Sequence, residues 1–551
     1  MEKPWLAHYP QNVPADVNPD AYPRLIDMAE ERFQKFGPLP AFVSMGKTLR
    51  FQDLDRLSRD FAAYLQSRGL RPGDRIAIMM PNLLQYPIAM FGALRAGLVV
   101  VNTNPLYTPR EMRHQFIDSG AKAIVIAENF AANLQQIIGE TEIKTVILTS
   151  IGEMLGLKGA VVNFVVRNVK KMVPPFTLQN TVSFREALRQ GRKFTVQAPE
   201  TGPDDVIILQ YTGGTTGVAK GAMLTNRNLL ANMMQIRAIM MPFLEEGREV
   251  MLCPLPLYHI FAFTVNCLAI MSVGGCNILI VNARDLPALI KEWRTHKPSL
   301  VPGVNTLFNA LMNHPEFASL DFSRLKICVG GAMAVQRTVA ERWRQVTGCQ
   351  LSEGYGMTEA SPVISCNPFD SAMRIGTIGL PAPGTDMRIV DEHGAPLPPG
   401  PEHVGEIQAS GPQVMKGYWQ RPEATAEVLQ DGWLSTGDMG FMHPDGYFQI
   451  VDRKKDMILV SGFNVYPNEV EDVIATHPKV LEVAAVGIPD EKSGEVVKVF
   501  VVKKDAGLTE AEVLAHCKEN LTGYKIPKQV EFRSELPKTN VGKILRRELR
   551  T

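Results

Sequence analysis

Neither sign of charge is in surplus: 58 Lys and Arg face 57 Asp and Glu, leaving a formal net charge of +1. Bulk charge therefore offers no grip on a polyanion, and no nucleic acid partner is expected. The seven cysteines (Cys253, Cys267, Cys276, Cys328, Cys349, Cys366 and Cys517) are scattered and never fall in a C-x-x-C spacing. That argues against a disulfide framework and against a zinc site, and fits a reducing cytoplasm. Met1-Glu2-Lys3-Pro4-Trp5 lacks the basic start and apolar run of a secretory leader. One stretch without Asp, Glu, Lys or Arg, residues 251–283, is broken by Pro254, Pro256, His259, Asn266 and Gly274-Gly275. A spanning helix needs about 20 unbroken apolar residues, so buried strands and turns of a soluble core are the expectation here.

What is present is ordinary globular material, 45% hydrophobic and 21% charged over 551 residues. Such a length corresponds to roughly three to four domains or subdomains. Between residues 69 and 282 strand-like runs (75–80, 98–102, 123–127, 145–149) alternate with helical ones (87–95, 109–119). This is the pattern of βαβ units building parallel sheets, an α/β fold. No repeat or low-complexity tract occurs, and residues 395–401 read as a loop. The last hundred residues differ: a helix over 467–477, strands over 480–488 and 496–504, and a second helix capped by Thr509 and Glu512 make a small α+β unit. The expected division is 1–453 and 454–551. The charged run 452–456 joins the two, reads as a segment no core would hold, and suits a hinge. Residues 161–173 mix Val and Phe with Arg167, Lys170 and Lys171. They read as a short basic amphipathic helix with one face on the core, peripheral contact with an anionic bilayer being the second reading.

The segment Tyr211-Thr212-Gly213-Gly214-Thr215-Thr216-Gly217-Val218-Ala219-Lys220-Gly221 follows a strand-like run and precedes a helix that Thr225 can cap. Read as strand, glycine loop and helix, it is a phosphate cradle: glycines admit backbone N–H groups to an anion, hydroxyls add donors, and Lys220 adds charge. It is not a Walker A loop, which needs Lys followed by Ser or Thr. Other residues are ambiguous alone. Thr358-Glu359 could cap a helix or offer hard oxygens to Mg²⁺. Asp438 could be a turn aspartate or accept two hydroxyls. His259 reads first as a core histidine, and Lys543 as part of a solvated basic tail with Arg546 and Arg547.

This loop closely resembles the signature of the adenylate-forming superfamily of acyl-CoA synthetases, luciferases and peptide-synthetase adenylation domains. Further motifs of that family stand in its order: Leu255-Pro256-Leu257-Tyr258-His259, Gly330-Gly331-Ala332, Gly354-Tyr355-Gly356-Met357-Thr358-Glu359, Ser435-Thr436-Gly437-Asp438, Asp452-Arg453-Lys454-Lys455-Asp456 and Pro537-Lys538-Thr539-Asn540-Val541-Gly542-Lys543. The similarity runs end to end, including residues 5–10, 80–87, 104–108 and 303–308, and resembles the bacterial long-chain fatty acid CoA ligases. One departure is Gly213, where many relatives carry Ser, which removes a hydroxyl and keeps the backbone donors.

The resemblance implies a large N-terminal domain with the ATP and acyl sites and a small mobile C-terminal domain. It implies that Thr358 and Glu359 hold phosphates and Mg²⁺, that Tyr355 and Gly356 lie at adenine beside Gly331 and Ala332, and that Asp438 and Arg453 meet the ribose. It places His259 by the acyl carboxylate, Lys455 at the hinge, Gly462 on the coenzyme A channel and Lys543 at the adenylation step. ATP and coenzyme A would be cosubstrates and a fatty acid the partner, in a cytoplasmic protein with contact to the inner membrane and homodimer formation left open. Medium-chain or aryl acid ligation is the nearest rival. A membrane-surface fatty-acid uptake module with a regulatory nucleotide site is the alternative from another class, and a nucleotide kinase is disfavoured by the missing Walker pattern. A peptide-synthetase module is the less expected reading, as the sequence reaches Thr551 without a carrier domain.

Overall fold

Strand-forming runs of Val, Ile and Ala lie at the centre of the fold, and the structure, a computed structural model, describes residues 2–212, 219–461, 463–490, 492–539 and 542–550. Among these residues the strands form four sheets, of seven, nine, five and five strands. In the seven-stranded sheet Arg75–Met79 pairs in parallel with Val99–Asn102 and Ala121–Ala127, and Ala121–Ala127 with Thr145–Thr149. These strands are buried on both faces, as apolar runs between helix layers must be. The helix Gln85–Arg95 is buried along its whole length, which explains why its apolar residues are not confined to one stripe. Helix Pro109–Ser119 shows why boundaries were legible: Thr108 caps it with Glu111 in a reciprocal pair, Pro109 starts it, and Gly120 ends it at φ 60°.

The nine-stranded sheet runs through Val250–Cys253, Leu300–Gly303, Ile327–Gly330 and Leu351–Gly356, parallel along that series. One hydrophobic core joins it to the seven-stranded sheet through the helices between them. A second core packs Trp293, Phe308, Phe317 and Trp343 edge to face on the far side of the nine-stranded sheet. The third sheet includes Gly405–Ser410, Trp433–Met442 and Phe448–Arg453. After a turn at Lys454–Met457, a five-stranded sheet with helices Pro467–Ala475 and Glu510–Asn520 builds its own core from Ile458, Val470, Val499 and Val513.

Three expectations are corrected. Residues 251–283 are not strands and turns alone: between Val250–Cys253 and Cys276–Leu279 lies a buried helix, Ile260–Ala262 continuing as a π-helix over Phe263–Ile270. A window short enough to be a strand or a buried helix carries no periodicity to separate them. The phosphate-cradle segment is not followed directly by a helix. Val206–Thr212 and Lys220–Thr225 are antiparallel partners, with Thr212 opposite Lys220, and only then does Thr225 cap Asn226–Met240. The run 452–456 is not wholly solvated, since Asp452 has no exposed surface and its carboxylate accepts hydrogen bonds from the Arg453 and Asn468 N–H groups. The helix Leu157–Phe164 and π-turn Val165–Val169 lay one face on the core, as expected, with Val166 8% exposed and Val162 packed against the main hydrophobic cluster, while the other face carries apolar residues outward. Leu157 is 95% exposed and Val161, Phe164 and Val169 stand out beside Lys158, Lys170 and Lys171.

Candidate active site

The ends of strands from both large sheets, the third sheet and the C-terminal unit enclose one cleft of about 2900 Å³. Tyr211, Thr212, Lys220, His259, Gly331, Ala332, Tyr355, Gly356, Thr358, Glu359, Asp438, Arg453, Lys455 and Lys543 all line it. They come from positions up to 332 residues apart: parallel strands deliver the carboxyl ends near Thr212, Gly331 and Tyr355 to one edge, and Asp438, Arg453 and Lys543 arrive from the antiparallel third sheet and the last segment of the chain. Gly213, Gly214, Thr215, Thr216, Gly217 and Gly462 lie outside the described residues. The Tyr211 hydroxyl donates to Asp118 Oδ2 at 2.7 Å, tying the strand before the glycine segment to helix Pro109–Ser119.

Asp438 is not in a simple turn. The register between Gly405–Ser410 and Trp433–Met442 jumps from Glu406–Met439 to Gln408–Ser435, so Thr436, Gly437 and Asp438 bulge from the strand. A bulge re-aims a side chain at a sheet rim, and Gly437, at φ 74°, supplies the left-handed residue it needs. Asp438 then accepts the Tyr355 hydroxyl at 2.6 Å, and Arg453 Nε stands 3.5 Å from its other oxygen.

Glu359 occupies a short turn, Thr358–Ala360, after the strand Leu351–Gly356. Its Oε1 accepts from the Tyr418 hydroxyl at 2.7 Å. Burial raises its pKa, opposed by that hydrogen bond and by the charges of Lys220 and Arg453. Thr358 lies beside it on the cleft. Carboxylate and hydroxyl oxygens are the hard donors a magnesium ion takes. No group of three or more His, Cys, Asp or Glu side chains is placed to hold a metal among the described residues. The donor set therefore fits an ion that shares its coordination with substrate phosphates rather than one held in a protein cage.

His259 starts the buried helix, its Nδ1 accepting the Phe261 N–H at 3.4 Å, which leaves Nε2 as the protonated nitrogen. Burial, and then the charge of Lys543, push its pKa down to about 4. Lys543 reaches the same space from the last segment of the chain. Gly542, at φ 83°, has its carbonyl 3.4 Å from the Thr306 hydroxyl, which donates to it, and a Cβ there would stand 2.9 Å from that hydroxyl. Burial first, and then Arg453, push the Lys543 pKa down to about 7, with Asp438 pulling the other way.

Three site residues had no signal in the sequence reading. Tyr418 holds Glu359 from 59 positions away. Glu353 lines the cleft, accepts the Val335 N–H, and is pushed up to about 8 by burial, well above the usual carboxylate range. Arg546 is no part of a solvated tail: its guanidinium is paired with Glu471 at 2.8 Å. Each depends on a partner far away in sequence; only the position of Glu353 two residues before Tyr355 could have drawn attention to it.

The family described as AMP-binding enzyme matches residues 29–419, and the AMP-binding enzyme C-terminal domain matches residues 469–543. A long-chain-fatty-acid–CoA ligase of Escherichia coli O6:H1 is 56% identical over 552 residues, spanning 100% of this chain and 98% of the relative. A protein of the same description from Haemophilus influenzae is 52% identical over 554 residues, with the same coverage. The crystal structure of the anthranilate CoA ligase AuaEII with anthranoyl-AMP superposes with a TM-score of 0.85 over 97% of this chain and 98% of that one, at 23% identity, a likeness of fold. On that coverage and identity the chain belongs to the AMP-binding enzyme family, the adenylate-forming superfamily, alongside the long-chain fatty acid CoA ligases.

Proposed function

We propose that this protein ligates a long-chain fatty acid to coenzyme A in two steps: the carboxylate attacks the ATP α-phosphate to give an acyl-adenylate and pyrophosphate, and the coenzyme A thiol then displaces AMP. The observation that carries the reading is the meeting of Lys543, Asp438, Arg453 and His259 in one cleft, from positions up to 284 residues apart in a chain 56% identical over its full length to a long-chain-fatty-acid–CoA ligase. In this reading Asp438 and Arg453 hold the ribose, Tyr355 and the Gly331-Ala332 turn face adenine, and Lys220 with the glycine segment holds phosphates. Thr358 and Glu359 would hold Mg²⁺, which when bound would neutralise phosphate charge. His259, with its pKa near 4, is neutral at pH 7 and donates from Nε2 to the acyl carboxylate without the full ion pair that would blunt its nucleophilicity. Lys543, with a pKa near 7 in the free protein, becomes fully charged once phosphates arrive and stabilises the charge developing at the α-phosphorus.

Residues 1–453 would carry the ATP and acyl sites, and 454–551 would turn about Lys455 between the half-reactions, bringing Gly462 to the coenzyme A channel. No helix of the described residues is long and apolar enough to cross a membrane. The outward Leu157, Val161, Phe164, Val169 and Met172, with Lys158, Lys170 and Lys171 among them, support reversible contact with an anionic bilayer, where such substrates partition.

The test is AMP and acyl-CoA formation with Mg-ATP and coenzyme A over straight-chain acids of increasing length and a benzoate-type acid. Each methylene buried in an acyl tunnel is worth about 0.8 kcal/mol, about fourfold in kcat/KM, so a long tunnel gives a steep rise. A maximum at long chains with AMP and acyl-CoA formed one for one bears the reading out. Activity confined to short or aryl acids overturns the substrate, and ATP binding without AMP release overturns the reaction.

A further inference from the structure

Arg546 lies three positions beyond Lys543, and its surroundings are unlike those of a chain terminus. Its guanidinium sits among Asp452, Asp456 and Glu471, at 3.5, 3.6 and 2.8 Å, and donates to Asn468 Oδ1 at 2.6 Å. These partners belong to three different pieces of the protein. Asp452 is in the strand Phe448–Arg453, whose neighbouring residue Arg453 stands opposite Asp438. Asp456 is in the turn that leads out of that strand. Asn468 and Glu471 are on the helix Pro467–Ala475 of the C-terminal unit. Arg550 adds a second tie, to Asp456 Oδ1 at 3.2 Å and to the Lys455 carbonyl at 3.4 Å.

The segment bearing Lys543 is a loop with little regular structure, so its position is set by its ends. At one end Lys538 pairs with Glu482 at 2.7 Å, and the loop closes on itself through Thr539 N–H to the Lys543 carbonyl and Lys543 N–H to Thr539 Oγ1. At the other end the chain passes directly through Ile544 and Leu545 to Arg546. A buried, multiply paired guanidinium has a planar fork that allows few orientations, and so fixes the backbone that carries it.

We infer that Arg546 is a positioning residue for adenylation: by clasping Asp452 and Asp456 to Glu471 it sets the lysine-bearing loop relative to the strand that presents Arg453 opposite Asp438. The inference rests on the two-step reading. It requires Lys543 to be held in place during the first step and assigns Arg546 no contact with substrate in the second.

The test separates the half-reactions in the full-length protein. Acyl-adenylate formation is followed in a single turnover with oleate and Mg-ATP without coenzyme A, and thioester formation from supplied oleoyl-adenylate with coenzyme A. Misplacing a reacting group by about 1 Å costs on the order of a hundredfold, so Arg546→Gln is expected to slow adenylation by at least about tenfold while thioester formation stays within about twofold of the unaltered protein. Arg546→Lys, which keeps the charge and loses the fork, is expected to fall between the two. Asp452→Asn keeps an acceptor for the Asn468 N–H, removes the charge facing Arg546, and decides the matter should Arg546→Gln fail to fold. Loss of both half-reactions by the same factor, or adenylation at the unaltered rate in Asp452→Asn and the foldable Arg546 variants, overturns the inference. Absence of AMP formation by the unaltered protein would instead overturn the two-step reading beneath it.

Discussion

The Tyr355 hydroxyl donates to Asp438 Oδ2 at 2.6 Å, joining residues 83 positions apart, one at the end of a strand in the nine-stranded sheet and the other on a bulge of the third sheet. The contact fixes the direction of the carboxylate proposed to take both ribose hydroxyls, and gives Arg453 a defined anion to face.

Asp438→Asn should therefore raise the KM for ATP by about tenfold or more, since hydrogen bonds to a charged group are worth about 1.5–3 kcal/mol. Tyr355→Phe should raise it less, because the carboxylate survives and only its orientation loosens. AMP release measured against ATP concentration checks both; an unaltered KM in Asp438→Asn would remove this residue from the nucleotide site.

Lys543 gives a pH signature. Its charged form is lost as pH rises through about 7 in the free protein, so kcat/KM for Mg-ATP should fall above pH 7. Bound phosphates favour the charged form, so the corresponding limb in kcat should lie at higher pH. Lys543→Met should slow adenylation by about a hundredfold or more and abolish the limb. A limb that persists in that variant belongs to another group.

Glu359 and Tyr418 form a pair in which one residue supplies charge and the other aims it. Glu359→Gln should raise the Mg²⁺ concentration needed for half-maximal AMP formation, with Tyr418→Phe acting in the same direction more weakly. Equal Mg²⁺ dependence in all three proteins would contradict the proposed ligand.

Trp343 is fully buried against Phe308, with ring centroids 4.8 Å apart, and against Phe317 and Trp293. Trp343→Ala should cost about 3–5 kcal/mol of stability by opening a large cavity. Urea unfolding followed by circular dichroism measures this, and a loss below about 1 kcal/mol would mean that the far-side core collapses to fill the space.

Exposed Leu157, Val161 and Phe164 supply the last expectation. Val161→Glu with Phe164→Glu should reduce cosedimentation with vesicles containing anionic lipid while leaving AMP formation with a water-soluble acyl substrate unaltered. Equal sedimentation of the two proteins would place bilayer contact elsewhere.

Local chemistry was enough for the sequence to determine its elements. Thr108 with Glu111, and Thr509 with Glu512, cap helices by contacts three residues apart, and buried strands such as 145–149 are continuous apolar runs between turn signals. The order of motifs likewise determined the family, and with it the residues to expect at the cleft. What lay beyond the sequence was every relation that closes through space. Whether residues 260–270 are strand or helix is decided by the space between two sheets. Whether Asp438 is a turn aspartate or a bulge carboxylate depends on its register with Gly405–Ser410. Asp452 and Arg546, read singly, are solvent-seeking charges; ninety-four positions apart, they become a buried pair only when the chain end folds back on the hinge strand. Charge alone prescribes exposure, and only tertiary structure supplies the partner that makes burial affordable.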